Sequence, residues 1–543
     1  MSWGHATSMD MLTWVSASVS PALIPGATYD CEGVFTGCWL PPSKASDKTL
    51  RVAYSSVKHL PFHWSTPPYP RNAAGLAIAS SHDGGLTWEK SPRNPILPGE
   101  PAGVAVTGFR DPSVFELQPT VRTPRTPTPN LYGLIAGGVE GSGPNVFVYE
   151  IDIENPEDWN YRGTLLSLPP RFQPSNHWSC NYGVNWECVN LVTLRSDSET
   201  RHFLLLGAEG DVEKPQVKSQ PRSTAAPSRT IRPQLWLSGE LTPTSSGLQL
   251  RPQYGGYFDH GPYYAANSFH DPVSDRRIVY GWIPEEDISL EAAKAKGWNG
   301  SLAIPREMFL LTIRNVEGSM RSDLSDIFPF EIKRESDGSI TILTLGVRPI
   351  QEMARLREGC DDVSESKNVI TLPMSDLITH QVISQAQSAN WELEAIISVQ
   401  PGCKTVGFHV RHTNDLSVRT SITFCIDTET ISVDRSASTT DPAVNTCMDA
   451  GPFTLLTQRP PGEEASHEKL KIRIFSDGNI LEIFANDRFA LATMVYSERC
   501  GPRTGGISAF ATGGLGSAVF EAVHVYDGLD VNKLPRTVDE VPG

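Results

Sequence analysis

Two carboxylates stand in unusual company in this chain. Phe109-Arg110-Asp111-Pro112-Ser113-Val114-Phe115 sets an Asp between Arg and Pro with an apolar strand following, and Trp186-Glu187-Cys188-Val189-Asn190-Leu191 sets a lone Glu among aromatic and apolar neighbours. Two carboxyls about 5 to 5.5 Å apart, one ionised and one holding a proton, can cleave a glycosidic bond with retention. Arg110 is expected to keep Asp111 ionised, and Pro112 to end the strand ladder so that the Asp projects from a strand end. Burial is expected to raise the pKa of Glu187 and fit it for acid/base work. Each motif also has an ordinary explanation, a surface Arg-Asp turn or a Glu facing water at a strand start. Neither decides alone.

The elements that must position these side chains read as β throughout. Leu50–Ser56, Gly75–Ser80, Val146–Ile151, His202–Leu206 and Arg277–Trp282 are short β-branched and aromatic runs bounded by turn residues. Many such strands over the first two thirds of the chain suit radial repetition, which protects sheet edges. Ser81-His82-Asp83-Gly84-Gly85-Leu86-Thr87-Trp88 fits the Ser-x-Asp-x-Gly-x-Thr-Trp turn of sialidase-type propellers, with a structural role. Pro119–Asn130 and Asp211–Arg229 read as exposed insertions, and Ser289–Lys296 as a short surface helix. Around Glu352–Lys367 the texture turns charged and helical. Alternation then resumes in Trp391–Val399, Thr405–Arg411, Ser421–Ile426, Ile472–Phe475 and Asn479–Phe484, as in a two-sheet sandwich. The division expected is a catalytic unit over 1–352, a linker over 353–367 and a C-terminal sandwich over 368–543.

Composition narrows the partners. At 543 residues, with 39% hydrophobic and 20% charged residues, the chain can bury more than one core. A net charge of −16 repels nucleic acid and anionic lipid, and no run of about eighteen apolar residues could span a membrane. A small neutral substrate fits better. Nine cysteines without a Cys-x-x-Cys pair read mostly as buried thiols rather than as a zinc site or disulfide scaffold. Residues 1–25 show no basic stretch followed by an apolar core, so no signal peptide is visible.

Taken in order, the motifs resemble one family. Trp3-Gly4-His5-Ala6, Tyr29-Asp30-Cys31-Glu32-Gly33-Val34-Phe35-Thr36-Gly37, Arg110-Asp111-Pro112, Trp186-Glu187-Cys188, Gly297-Trp298-Asn299-Gly300-Ser301 and Leu481-Glu482-Ile483-Phe484-Ala485-Asn486-Asp487 resemble successive motifs of the invertase, inulinase and fructosyltransferase family, glycoside hydrolase family 32. Leu60-Pro61-Phe62-His63-Trp64 and Val106-Thr107-Gly108-Phe109 resemble its fungal branch. The resemblance implies a five-bladed β-propeller, the first blade incomplete, followed by a β-sandwich, and an enzyme acting on the fructosyl bond of sucrose or a fructan by hydrolysis or transfer. It assigns Asp111 to transition-state stabilisation, Arg110 to the same sugar, and Glu187 to acid/base catalysis with Cys188 beside it. Phe35 and Thr36 would line the fructose pocket, with His63, Glu209 and Tyr264 on the aglycone side. No metal and no organic cofactor is implied.

One departure matters. The family's nucleophile is the Asp of an Asn-Asp-Pro motif a few dozen residues before Trp-Gly-His-Ala, which here starts at Trp3. The nearest strings, His270-Asp271-Pro272 and Thr440-Asp441-Pro442, stand in the wrong order and setting. The expectation is therefore a nucleophile outside this sequence and a first blade with an unpaired inner edge. A carbohydrate-binding relative without turnover is the alternative; a sialidase-type propeller is a weaker one, since its arginine triad cannot be placed.

Overall fold

A computed structural model of the chain describes residues 1–534, apart from 18–19, 43–45, 64, 67, 118–129, 197–198, 215–222, 245–246, 367–369, 372–374, 498–503 and 514–517. Trp64, residues 119–129 of the first candidate insertion and 215–222 of the second fall outside the described residues.

Antiparallel sheets follow one another along the first 349 residues as the blades of a propeller. The first is two-stranded, Ala6–Thr7 with Val15–Ser16. Three four-stranded sheets follow, starting at Gly33–Leu40, Val106–Leu117 and Asn185–Ser196, and the last starts at Tyr264–Asp271. Each of these four leading strands is the inner strand of its blade. Runs such as Phe203-Leu204-Leu205-Leu206 are buried along their whole length. Both faces of such a strand meet a neighbouring blade, so the sequence reads continuously apolar instead of alternating. The cores accordingly lie between blades: Leu134, Val148, Leu191 and Leu204 pack in one cluster, Leu76, Phe109, Ile135 and Phe147 in another.

Asparagines stitch neighbouring inner strands. Asn190 Nδ2 donates to the Ala266 carbonyl at 3.2 Å, and Asn267, 77 positions further on, donates to the Gly37 carbonyl at 3.2 Å. The second bond joins the last blade directly to the second. In the first sheet the Trp3 indole donates to the Phe35 carbonyl, which ties that sheet to the second blade, while Met11 and Leu12 pack on the core of the last.

The C-terminal unit is a sandwich of a seven-stranded and a six-stranded sheet around Leu393, Phe408, Ile474 and Phe520. The stretch read as a charged, helical linker carries regular structure. Gln351–Gly359 forms a 3₁₀ helix, and Asp362–Ser366 already pairs with the final strand, Ala518–Asp527. The strand Arg306–Ser319 of the last blade also pairs with Leu456–Gln458, so one sheet crosses between the two units.

Smaller readings can be placed as well. The helix spans Leu290–Lys296, with Ser289 as N-cap accepting from the Ala292 N–H and Gly297 at φ 93° closing it. Asp83 holds the Ser-x-Asp-x-Gly turn by accepting from Ser81 Oγ, Thr87 N and Thr87 Oγ1. Trp88 meets Trp39 at 5.9 Å. Cysteine burial was overestimated. Of the eight described cysteines, Cys180, Cys188 and Cys403 are the buried ones. Several others sit at strand ends or in loops, where a thiol meets water.

Charge locks the two units together. Arg306 of the last blade, fully buried, pairs with Asp259 and with Glu482 of the sandwich, both at 2.8 Å, and stacks on Tyr263. Glu482 also accepts the Ile304 N–H, which gives the Leu-Glu-Ile-Phe motif an interfacial role. A second buried ring alternates Arg229, Asp287, Arg435 and Asp449. Arg306→Met should cost about 3–5 kcal/mol, because it strands two buried carboxylates without their cation. Urea denaturation followed by intrinsic fluorescence will measure this; a midpoint matching the unsubstituted chain would remove the network from the interface energetics.

Candidate active site

A bulge interrupts the ladder at the same place on each inner strand. The register shifts between Val34 and Gly37, between Arg110 and Pro112, between Glu187 and Asn190, and between Tyr264 and Asn267. Three of the bulged residues are left-handed: Asp111 at φ 60°, Cys188 at φ 49° and Ala265 at φ 52°. Such residues cost about 1–3 kcal/mol each and persist where the surroundings hold them. The residue before each one, Arg110, Glu187 or Tyr264, turns toward the hub. Asp111 is thus mid-strand, within Val106–Leu117, and not at the strand end that Pro112 was expected to make.

The three hub residues form a chain. Arg110 Nε and Nη2 both donate to Glu187 Oε1, at 2.8 and 2.6 Å, and Tyr264 Oη donates to Glu187 Oε2 at 2.9 Å. Arg110 Nη2 also reaches Glu209 Oε2 at 3.2 Å. The guanidinium lies 5.3 Å from the Phe62 ring centroid, and Phe62 in turn lies 6.1 Å from Phe35. Close approach needs glycine here. A Cβ at Gly108 would stand 2.9 Å from Arg110 Nη1, and one at Gly207 would stand 2.7 Å from the Tyr264 ring.

Asp111 is held separately. Its backbone N–H, freed by the bulge, donates to Ser55 Oγ at 2.7 Å, and its Oδ2 accepts from Cys188 N at 3.1 Å and from Cys188 Sγ at 3.6 Å. Burial pushes the Cys188 thiol well up, and Asp111 adds to it, so the thiol is a neutral donor. A smaller influence of Thr36 acts on the thiol in the opposite sense.

These contacts overturn both electrostatic expectations. Burial, reinforced by the charge of Glu187, lifts Asp111 to about 6 although Arg110 opposes it, because the guanidinium is aimed at Glu187 and Glu209 and not at its chain neighbour. For Glu187 burial raises the pKa, but the charge and hydrogen bonds of Arg110, with the hydrogen bond from Tyr264, outweigh it and hold the carboxyl below its ordinary value. Glu209 takes the opposite path. Burial and the nearby Glu187 charge lift it to about 8.

All nine residues singled out by motif meet at or around this hub. Phe35 and Thr36 come from the second blade, and His63 from the loop beyond its second strand. Burial lowers the His63 pKa, and the charge of Arg110 adds to that. Ser55, Asn185 and Arg232 carried no motif and were missed, and Thr107, although part of the Val106-Thr107-Gly108-Phe109 motif, was given no role. Thr107 Oγ1 donates to Asn185 Oδ1 at 3.0 Å, and Asn185 Nδ2 donates to Glu209 Oε2 at 3.2 Å. Arg232 stacks on Tyr264 and Trp282 at 5.5 and 5.8 Å. The spacing could have found Asn185: it lies two residues before Glu187, as Gly108 does before Arg110. Asp271 and Asp441 stand away from the hub, capping turns at Val273 and Ala443. Among the described residues no His/Cys/Asp/Glu group could hold a metal ion.

The sequence and the fold both have known counterparts. Residues 1–320 match "Glycosyl hydrolases family 32 N-terminal domain", and residues 352–527 match "Glycosyl hydrolases family 32 C terminal". The chain is 26% identical over 318 residues to a fructan 6-exohydrolase of Beta vulgaris, covering 57% of this chain and 45% of that protein. It is 23% identical over 508 residues to the vacuolar acid beta-fructofuranosidase 4 of Arabidopsis thaliana, covering 91% of this chain and 68% of that one. Among solved structures, an Aspergillus kawachii beta-fructofuranosidase complexed with glycerol superposes with a TM-score of 0.83 at 26% identity, over 98% of this chain and 89% of that one. The fructosyltransferase from A. japonicus gives 0.82 at 24%, with the same coverage.

Arg110 neutralises charge that the hub cannot otherwise bear. Arg110→Met should cost about 3–5 kcal/mol at pH 7. The deficit should shrink toward pH 5, because without the cation the carboxyls take up protons at higher pH and shed their charge. Chemical denaturation at the two pH values checks the sign; a deficit independent of pH would contradict it.

Proposed function

The chain belongs to glycosyl hydrolase family 32, and from that membership we propose that it acts on the fructosyl bond of sucrose or a fructan, by hydrolysis or by transfer to another sugar. The observation that supports this reading most is the convergence of Asp111 and Glu187 on one buried hub, each presented by a bulge of an inner strand. Two carboxyls held by different partners suit a stabiliser and an acid/base; the nucleophile that a retaining glycosidase of this family adds to them is the Asp of an Asn-Asp-Pro motif that this sequence does not contain.

In this reading the fructosyl ring lies over the hub with its hydroxyls on Asp111 and Arg110. Nη1 of Arg110 is buried and has no acceptor among the described residues, so a donor is left for a sugar hydroxyl. Phe35 and Thr36 line the ring's pocket. Asp111 stabilises the oxocarbenium-like transition state, and its ionised form is favoured above about pH 6. Glu187 protonates the leaving oxygen and then deprotonates water or an acceptor hydroxyl. His63, Glu209 and Tyr264 face the leaving sugar. A small carbohydrate is the partner, and the carboxyls supply the chemistry without a cofactor.

A second reading, a carbohydrate binder without turnover, is favoured by one observation. The chain contains no Asn-Asp-Pro, and the carboxylates gathered at the hub are Asp111, Glu187 and Glu209. Release of glucose and fructose from sucrose separates the two. Glu187→Gln should lower turnover by about 10²- to 10⁴-fold with the fold retained. Unchanged turnover would take Glu187 out of its role, and sugar binding without any release from the unsubstituted chain would favour the second reading.

A further inference from the structure

We propose that Arg232 determines specificity for the leaving sugar by donating to its hydroxyls, and that Glu286 is the positioning residue that holds Arg232 there. The assignment rests on the reading of Glu187 as acid/base, since that reading says on which side the leaving sugar lies. Glu187 Oε1 takes two donors from Arg110, whereas Oε2 takes one, Tyr264 Oη at 2.9 Å. Oε2 therefore has the freer lone pair to carry a proton, and the oxygen that receives it departs beside the Tyr264 phenol. Tyr264 pairs with Trp282, and Trp282 with Leu302, in a row that runs outward from the inner strand of the last blade. Tyr264 is 3% exposed and Leu302 68%, so the row climbs from the hub to solvent. Arg232 covers its first step, with the guanidinium 5.5 Å from the Tyr264 ring centroid and 5.8 Å from that of Trp282.

Arg232 has donors to spare. Its Nη2 donates to Glu286 Oε1, and among the described residues Nε and Nη1 have no acceptor. The side chain is 23% exposed, so these N–H groups stay open to water or to a sugar hydroxyl. A guanidinium already held against two rings loses less freedom on binding than a loose one, which makes its hydrogen bonds selective.

A run of three acids keeps it in place. In Glu285-Glu286-Asp287 each carboxylate grips a different neighbour. Glu286 accepts Thr230 N at 2.9 Å on Oε2 and Arg232 on Oε1, so it holds the short segment that carries the guanidinium at two points. Glu285, buried, accepts from Lys296 at the end of the short helix and, at 2.7 Å, from Tyr496 Oη of the sandwich. Its Oε2 also takes Gly300 N at 3.3 Å, and a Cβ at Gly300 would stand 2.1 Å from Trp282 Nε1. The Gly-Trp-Asn-Gly motif thus packs against the indole on which Arg232 lies. Asp287 pairs with Arg229 and, at 2.8 Å, with Arg435 of the sandwich. The outer two acids anchor the run to the sandwich, and the middle one reaches the hub.

Isothermal titration calorimetry of the full chain, in the Glu187→Gln background so that no turnover intervenes, compares sucrose with fructose. Arg232→Ala should weaken sucrose binding about 10- to 100-fold, the worth of hydrogen bonds from a charged donor, and change fructose affinity less than about twofold. Arg232→Lys keeps the charge but loses the planar fork, and should recover part of the loss. Glu286→Gln should lower sucrose affinity in the same direction. Added to Arg232→Ala it should change nothing further, because it acts through the guanidinium. Equal losses for the two sugars, an unchanged sucrose affinity in Arg232→Ala, or additive losses in the double variant would overturn the proposal. If neither sugar binds while Arg232 is in place, the functional reading fails and takes the assignment with it. A chain that binds fructose but is indifferent to Arg232→Ala defeats the assignment alone.

Discussion

One guanidinium shared by acidic side chains governs the hub. Arg110 is buried, donates twice to one oxygen of Glu187 and once to Glu209, and lies against the Phe62 ring. A carboxylate without such a partner gives up its proton only at higher pH at this depth, as Asp111 does, and a guanidinium without carboxylates could not stay there at all. The arrangement splits three chemically similar carboxyls into three states: Glu187 held low, Asp111 near 6 and Glu209 near 8. Acid/base chemistry near neutral pH depends on such a split.

The split depends on backbone geometry that recurs from blade to blade. Because Arg110, Glu187 and Tyr264 each precede a left-handed bulge residue, all three point inward, and successive blades place them side by side. Asn190 and Asn267 then tie the inner strand of the last blade to the inner strands on either side of it. Further out, the buried Arg306 and the ring of Arg229, Asp287, Arg435 and Asp449 bind the sandwich to the last blades, so the hub stands on a base that is itself held by paired charge.

Much of this was legible in the amino-acid sequence, for reasons that differ by residue. Strand positions such as Trp391–Val399 were readable because alternation survives wherever one face of a sheet meets solvent. Asp111 and Glu187 were readable because they stand in motifs shared with a family. Their protonation was not. It depends on where Arg110 points, and a bulge turns that side chain away from Asp111 toward a strand 77 residues distant. Ser55 could not have been found either: it matters because the bulge frees the Asp111 N–H, an event no local pattern records. The pairing of Asp362–Ser366 with the final strand was hidden for a related reason, since a charged stretch with helical texture gives no sign of a partner more than 150 residues away.

What remains is to see a sugar in the hub. The most direct measurement is a crystal structure of the chain soaked with fructose, in which the position of the furanose ring is read from density. The expected result is a ring with hydroxyls on Asp111 and on Arg110 Nη1, its anomeric oxygen facing Glu187, and Arg110 still bound to Glu187. A ring bound elsewhere while the hub stays empty, or an Arg110 turned away from Glu187, would contradict it.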